Sequence, residues 1–317
     1  MEIDFTFSTI TLGIIKLFVL MLIGFGLRLK GFINDKFTDM MSLLLIRVLF
    51  PALILTKTIE HFDFGEFPYW WTLPLAAILF AIGGMVIGQF IHGILKLPGS
   101  RKEFISSCGF QNCGYLPMTL ILFSFTGLAR DRLFIYLFLF IMGFNLLMWS
   151  LVPLFLTGSI RKEFKWKILL NPPVVATLVS LIWVALLGRG SMPGVIGHPL
   201  SQLGQASFPL AMLMLGSYLC RYRAYLPTNK SSVVTAAIVK LLVFPAIILG
   251  IVYFIPINMD FKLFLFLQAI MPTAVSLVII GSYTEADNDF FSSIIFYTHL
   301  AAIFTIPIWL AVFRAII

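Results

Sequence analysis

Residues 109–117 of the chain read GFQNCGYLP, with two glycines, two side-chain amides and a proline inside an otherwise apolar run. A proline in a helix lacks the backbone N–H and clashes with the carbonyl four residues earlier, so the helix breaks or kinks there. Inside a bilayer, every freed backbone group needs a partner or a polar cavity. The stretch therefore predicts an unwound point in a membrane-spanning helix, with Gln111 and Asn112 beside it.

The overall composition indicates a membrane protein. The 317 residues are 60% hydrophobic and 11% charged, and the mean hydropathy is +1.02. A soluble domain is about 45–50% apolar and about 25% charged. This composition excludes soluble enzymes, nucleic-acid binders and secreted disulfide scaffolds. The net charge of +8 is expected to set the membrane orientation rather than to bind nucleic acid.

Ten segments are long and apolar enough to cross about 30 Å of hydrocarbon, which takes about 20 residues. In chain order, spans 1 to 10 are 7–27, 40–59, 69–95, 104–127, 133–156, 171–188, 199–220, 231–255, 261–283 and 290–315. Only short connections remain between them. The sequence predicts an all-α integral membrane protein with ten transmembrane helices.

Basic residues predict the orientation, because cytoplasmic loops are enriched in Lys and Arg. With the N-terminus outside, the inside connections hold most of the basic residues that lie between spans. These are Arg28, Lys30, Lys36, Lys96, Arg101, Lys102, Arg161, Lys162, Lys165, Lys167, Arg221, Arg223 and Lys230. We therefore expect a multi-pass protein of the cell (inner) membrane with both termini outside.

Several residues in the first half of the chain have a counterpart in the second half. The pairs occur in the same order, and the two members of each pair are separated by nearly the same number of residues. These are Phe50-Pro51 with Phe208-Pro209, Pro117 with Pro272, Asn145 with His299, and Pro153 with Pro307. Five spans in each half give the halves opposite orientations, which is the inverted repeat of many transporters. The sequence predicts a 5+5 inverted repeat in which spans 4 and 9 are broken at corresponding places.

Broken helices at corresponding places of two halves are the best sequence indication of a transporter binding site. Span 9 carries its own polar and proline-containing stretch, QAIMPT, at residues 268–273. The predicted substrate-binding residues lie at the two breaks and in the neighbouring spans. They are Gln111, Asn112, Gly114, Pro117, Gln268, Pro272, Lys240, Asn145 and His299. The alternative is a pair of kinked helices whose amides only tie neighbouring helices together.

Ionisable residues inside the spans limit which substrates and coupling ions the protein is expected to bind. No Asp or Glu lies in the middle of a predicted span, which argues against a carboxylate site for sodium or protons. Lys240, the deepest basic residue, favours an anionic substrate, unless its side chain only extends toward the interface. His299 could carry a proton or form a neutral bond between helices. We predict no enzyme activity, catalytic residue, metal site or cofactor.

Three stretches resemble the auxin efflux carrier family, which includes the plant PIN-formed carriers and bacterial relatives. Residues 112–117, NCGYLP, are close to the family's Asn-x-Gly-aromatic-Leu…Pro stretch. Residues 206–216, ASFPLAMLMLG, look like the family's seventh span, and residues 269–274, AIMPTA, look like its ninth. The resemblance runs nearly from end to end.

This resemblance implies that spans 4 and 9 cross at their prolines in mid-membrane, as in the related bile-acid symporter and sodium/proton antiporter folds. It implies a scaffold of residues 1–66 and 157–228, formed by spans 1, 2, 6 and 7. Residues 67–156 and 229–317 would form an elevator-like moving transport domain. It also implies homodimers through the scaffold helices, and organic anions as substrates: auxin in plants, dicarboxylates such as malate or malonate in some bacterial members.

The sequence thus predicts a secondary carrier that exports a small organic anion by alternating access. An inside-negative potential favours the exit of a monoanion by about 2.3 kcal/mol per 100 mV. The expected partners are the anion and the lipid bilayer, and nucleic acid is not one. Two alternatives stay open: a sodium- or proton-coupled symporter of the same fold, and a non-transporting membrane receptor or sensor on this fold.

Overall fold

The computed structural model describes residues 7–158, 171–225, 229–284 and 286–317, with side chains from residue 11 onward. Its helices are α1 (Phe7–Leu29), α2 (Asp35–His61), α3 (Thr72–Leu95), α4 (Arg101–Gly109), α5 (Tyr115–Ser124), α6 (Gly127–Thr157), α7 (Pro172–Leu187), α8 (Gly194–Tyr222), α9 (Lys230–Phe254), α10 (Met259–Ala269), α11 (Ser276–Thr284) and α12 (Asn288–Ile316).

Seven of the described helices, α1, α2, α3, α6, α8, α9 and α12, are long and apolar enough to cross a membrane. Large apolar side chains such as Leu22, Val86 and Phe304 are exposed on their outer surfaces. Extensive apolar surface of this kind is unusual for a soluble monomer and suits contact with hydrocarbon. The prediction of an all-α membrane protein is confirmed, whereas the ten-span 5+5 repeat stays a prediction.

The other three predicted spans correspond to shorter helices. Span 6 corresponds to α7, which has 16 residues. Span 4 is divided into α4 and α5, and span 9 is divided into α10 and α11. Both interruptions lie where the sequence predicts unwound helix. Pro117 falls in the first turn of α5, where a missing N–H costs little.

The two interruptions pair with each other through their backbones. Asn112 N donates to Pro272 O at 2.7 Å, and Ala274 N donates to Phe110 O at 3.0 Å. Gln111 and Thr273 form an isolated antiparallel bridge between these two bonds. The backbone groups that each break frees are therefore partly satisfied by the other break, as a chain inside a bilayer requires.

Two helices contain a π-helical turn immediately before a Phe-Pro pair: residues Leu45–Leu49 in α2 and residues Val239–Val243 in α9. Pro245 has no N–H to donate to the carbonyl of Leu241, four residues earlier. Trp309 of α12 supplies the missing donor, since its Nε1 lies 2.7 Å from Leu241 O. The π turn and this bond relieve the local cost of the proline.

Glycines allow α1 and α8 to cross in close contact. A Cβ atom on Gly216 would lie 1.9 Å from Met21 O, and one on Gly24 would lie 2.1 Å from Leu213 O. Only glycine leaves room for such an approach of two backbones. Small residues at the contact are typical of helix pairs in membranes, where close packing drives association.

Candidate functional site

A cavity of about 120 Å³ lies beside the paired breaks. It is lined by Ile46, Phe50, Ile54, Gln111, Asn112, Cys113, Gly114, Tyr115, Met118, Phe138, Ile141, Phe144, Asn145, Trp149, Asn171, Pro173, Ala274, Val275 and Ser276. Four predicted site residues, Gln111, Asn112, Gly114 and Asn145, are among them. Within the described ranges no charged side chain lines the cavity, and most of the wall is apolar or aromatic.

Three helices begin at this cavity: α7, which follows its cap residue Asn171, and the two half-helices α5 and α11. Helix α5 begins at Tyr115 after Gly114, and α11 begins at Ser276 after Val275, and all four residues line the cavity. The first N–H groups of a helix have no partner within the helix, and the N-terminus carries a partial positive charge. Gly114 supplies no side-chain cap to α5, and Leu116 N makes one long bond, at 3.5 Å, to Asn112 Oδ1. The two half-helices therefore bring partial positive charge to a cavity that has no charged wall.

Gln111 presents a buried N–H₂ group. Its side chain is fully buried, and Lys240 Nζ donates to its Oε1 at 3.4 Å. Because an ammonium group can only donate, the amide oxygen must face the lysine. Gln111 Nε2 has no hydrogen-bond partner in the described part of the chain, although it is buried and can donate.

Asn112 and His299 form a buried pair. Asn112 Nδ2 lies 3.1 Å from His299 Nε2, and His299 Nδ1 lies 2.8 Å from Ile295 O. A carbonyl oxygen only accepts, so Nδ1 carries the hydrogen and Nε2 accepts from Asn112. The geometry fits the neutral cross-helix interpretation of His299. Leu116 N donates to Asn112 Oδ1 at 3.5 Å, so the amide oxygen is only weakly engaged.

Five predicted site residues do not line the cavity: Pro117, Gln268, Pro272, Lys240 and His299. Four of them contact residues that line the cavity, and Pro117 lies in α5, which begins at the cavity. Pro117 lies in the first turn of α5, and Gln268 Nε2 lies 3.5 Å from Cys113 O, just before that helix. These residues support the cavity from behind, and their assignment as substrate-binding groups stays a prediction.

Asn171 is a cavity residue that sequence reasoning missed. Its Oδ1 accepts from Val174 N at 3.1 Å and thereby caps α7. Its Nδ2 is buried and has no hydrogen-bond partner among the described residues. The sequence offered only a helix-start signal here, an Asn followed by two prolines. That signal predicts a cap, and only the fold shows that the same amide faces a cavity.

Aromatic residues form much of the remaining wall. Phe50 of α2 and Tyr115 of α5 lie with ring centres 5.3 Å apart, and Phe138, Phe144 and Trp149 of α6 also line the cavity. Rings of this kind bury large apolar areas and contact planar or aliphatic groups well. The cavity thus combines N–H donors with a largely apolar wall.

Comparison with known proteins identifies relatives among membrane transporters. A family model described as "Membrane transport protein" matches residues 9–162 and 155–310. The chain is 25% identical to an uncharacterized transporter of Methanothermobacter thermautotrophicus over 93% of this chain and 96% of the relative. It is 24% identical to Protein PIN-LIKES 7 of Arabidopsis thaliana over 47% of this chain and 41% of the relative. It is 20% identical to Protein PIN-LIKES 1 of the same plant over 96% of this chain and 78% of the relative.

Proposed function

We propose, starting from the fact that the chain belongs to the membrane transport protein family, that it is a secondary carrier for a small organic anion. The observation that carries the proposal is the convergence of two helix N-termini, α5 and α11, on one uncharged cavity. Discontinuous helices in transporters point their N-termini at anionic groups of the substrate. The family resemblance to auxin carriers agrees with this substrate class.

The anionic group would bind between the two helix N-termini and the buried amides. Gln111 Nε2 and Asn171 Nδ2 each lack a partner within the described ranges, so both can donate to an oxyanion. Charge-assisted hydrogen bonds of this kind are stronger than neutral ones. The apolar part of the substrate would contact the rings of Phe50, Phe138 and Phe144. A small carboxylate with an apolar or aromatic body is the best match.

The position of the cavity supports transport by alternating access. Phe50 of α2 and Asn171 of α7 belong to the predicted scaffold, whereas Tyr115 of α5 and Ser276 of α11 belong to the predicted transport domain. A site at this boundary changes its access when one unit moves against the other. Asn171 lies at the start of α7, next to the connection 157–170 that is predicted to be inside, where an exported substrate would enter.

The proposed arrangement has ten membrane crossings, with both termini outside, in the inner membrane, and homodimers formed through the scaffold helices. A C-terminal tag should then react with an impermeant reagent on intact cells, and a cysteine label in the connection 157–170 should not. Most of that connection lies outside the described residues. The opposite labelling pattern would contradict the orientation.

The substrate class can be tested on purified protein. A ligand that binds the folded state raises the melting temperature by mass action. We expect a saturable increase with some small mono- or dicarboxylates and none with the corresponding uncharged amides. Stabilisation by the amides alone, or by inorganic cations alone, would contradict an anion carrier.

Flux measurements then separate the carrier from its alternatives. Protein in liposomes should exchange the labelled acid across the membrane in sodium-free buffer at equal pH on both sides. Flux should respond to an imposed potential, because the transported species carries charge. Flux that requires a sodium or proton gradient indicates the coupled symporter. Binding without any exchange indicates a receptor.

A further inference from the structure

The amino group of Lys240 is enclosed by neutral oxygens and an aromatic ring. It is fully buried. Its Nζ lies 3.2 Å from Cys108 O, 3.4 Å from Gln111 Oε1 and 4.9 Å from the centre of the Phe244 ring. None of the ion pairs found in the described part of the chain includes Lys240. Carbonyl oxygens and a ring face are ligands that suit a monovalent cation.

These ligands lie at the broken end of a helix. Cys108 is in the last turn of α4, which ends at Gly109 before the break. The last carbonyls of a helix lack partners within the helix and carry a partial negative charge. In cation-coupled transporters, such C-terminal ends and unwound carbonyls coordinate the sodium ion or proton. Lys240 therefore places its amino group at a position with the chemistry of a cation site.

We propose that the Lys240 ammonium is a resident cation. It occupies the carbonyl-lined position at the break of α4, where a cation-coupled carrier would hold an exchangeable ion. This inference deepens the proposed function, because it implies that transport needs no co-transported sodium. It also differs from an interpretation of Lys240 as a substrate ligand, since the lysine does not line the cavity.

Lys240 acts on the cavity through Gln111. By donating to Gln111 Oε1, the ammonium fixes which face of the amide remains available, and that face is the N–H₂ group. An amide released from the lysine could rotate and present its oxygen, which would repel an anion. Lys240 is thus a positioning residue: it sets the polarity of the cavity from behind.

The test uses two variants and four chloride salts. Lys240→Ala leaves a space lined by the same oxygens, and Lys240→Met fills that space with an uncharged chain of similar length. The melting temperature of each purified protein is measured in ammonium, methylammonium, sodium and N-methylglucamine chloride at equal ionic strength. The large N-methylglucamine ion is the control that cannot enter. This measurement needs no knowledge of the transported substrate, so its result is independent of the proposed function.

We expect both variants to melt below the wild type in N-methylglucamine chloride. Ammonium or methylammonium should restore a large part of the lost stability to Lys240→Ala, with saturation, and should restore none to Lys240→Met. The wild type should not distinguish the four salts. Equal behaviour of the two variants in every salt, including failure of both to fold, would overturn the proposal. Saturable stabilisation of the wild type by sodium would also overturn it.

Discussion

The break between α4 and α5 and the break between α10 and α11 share one backbone pairing, but their side chains contact different groups. At the first break, Gln111 and Asn112 line the cavity. At the second, Thr273 Oγ1 lies 3.4 Å from Ser107 O, and Gln268 Nε2 reaches Cys113 O. The second break contributes Ala274, Val275 and the α11 N-terminus to the cavity, and its polar side chains contact the backbone around the first break.

This difference shows what the predicted repeat constrains. Two halves that cross at one point need the same unwound backbone, because each break satisfies the freed groups of the other. Nothing requires both halves to carry the same recognition groups. We therefore expect substitutions of charge at the two helix starts to have similar effects, and substitutions of side-chain amides to have unequal effects.

The largest effect is expected from a negative charge at either helix start. In Gly114→Asp and Ser276→Asp, the new carboxylate would occupy the place of the anionic group and repel it in a medium of low dielectric constant. Asp is favourable at a helix N-terminus, so folding should persist. A side chain at Gly114 has room, since the nearest atom to its Cβ, Ile141 Cδ1, lies at 3.7 Å. Both variants should lose ligand-induced stabilisation and flux.

The matched controls for these variants are Gly114→Asn and Ser276→Asn, which have almost the same shape without the charge and should retain binding. Normal binding in the Asp variants would mean that the helix starts do not contact the anion. Loss of binding in only one Asp variant would mean that only one of the two helix starts contacts the anion. The two breaks would then differ in the role of their backbones as well as of their side chains.

The next largest effect is expected from Asn112→Leu, which keeps a similar volume and removes the amide. If the amide binds substrate, affinity should fall by about 1–3 kcal/mol, or about 5–150-fold, because a buried partner is left unpaired. Flux should collapse while the protein still folds. Melting temperature and flux should be measured on the same preparation.

His299→Leu is the control for this effect, since it removes the other member of the pair. If Asn112 serves only to bond His299, both variants should lower the melting temperature similarly and leave the remaining flux near normal. A double-mutant cycle then isolates the energy of the pair itself. Normal flux with normal stability in Asn112→Leu would move the site away from the first break.

A smaller effect is expected at Asn171. Asn171→Ser retains a side-chain oxygen that can cap α7 and removes the free amide donor, so melting should stay close to wild type. Affinity should fall by about 0.5–1.5 kcal/mol, roughly twofold to twelvefold, for the loss of one hydrogen bond. Asn171→Ala should lower the melting temperature as well. Unchanged affinity in both variants would exclude the amide from the site.

The smallest effect is expected from Gln268→Leu. The bond to Cys113 O is long, at 3.5 Å, and Gln268 Oε1 has no partner within the described ranges. Removing an unpartnered buried oxygen offsets the loss of the bond, so stability should change by less than about 1 kcal/mol and ligand affinity should not change. A large loss of affinity would mean that a side chain of the second break also recognises the substrate. That result would contradict the assignment of the recognition side chains to the first break.

The unwound points were predictable because their causes are local. Pro117, Pro272 and the polar residues around them break an apolar pattern, and a break inside hydrocarbon follows directly. The groups that the Lys240 side chain contacts were not predictable in the same way. A basic residue in an apolar helix predicts burial and a partner, but the partner depends on how α9 is rotated against α4. That rotation is set by tertiary packing rather than by the pattern of α9.

The predicted correspondence of Asn145 with His299 illustrates a similar limit. The structure places Asn145 in the cavity wall and His299 against Asn112, behind the wall. Matching positions in two halves need not face the same surface, because each helix meets different neighbours. Asn171 shows the reverse case, in which a residue that only signals a helix start also lies at the cavity.

The π turn at Val239–Val243 makes the exact length of α9 important. A π turn closes on the fifth residue rather than the fourth, so it contains one residue more than an α turn. Deleting a single residue there would restore a regular α turn, and the two ends of α9 would keep nearly the same faces. The residues within the turn would shift instead, among them Lys240 and Leu241, whose carbonyl accepts from Trp309. A relative that is shorter by one residue at this turn would lack the widened turn that carries both contacts.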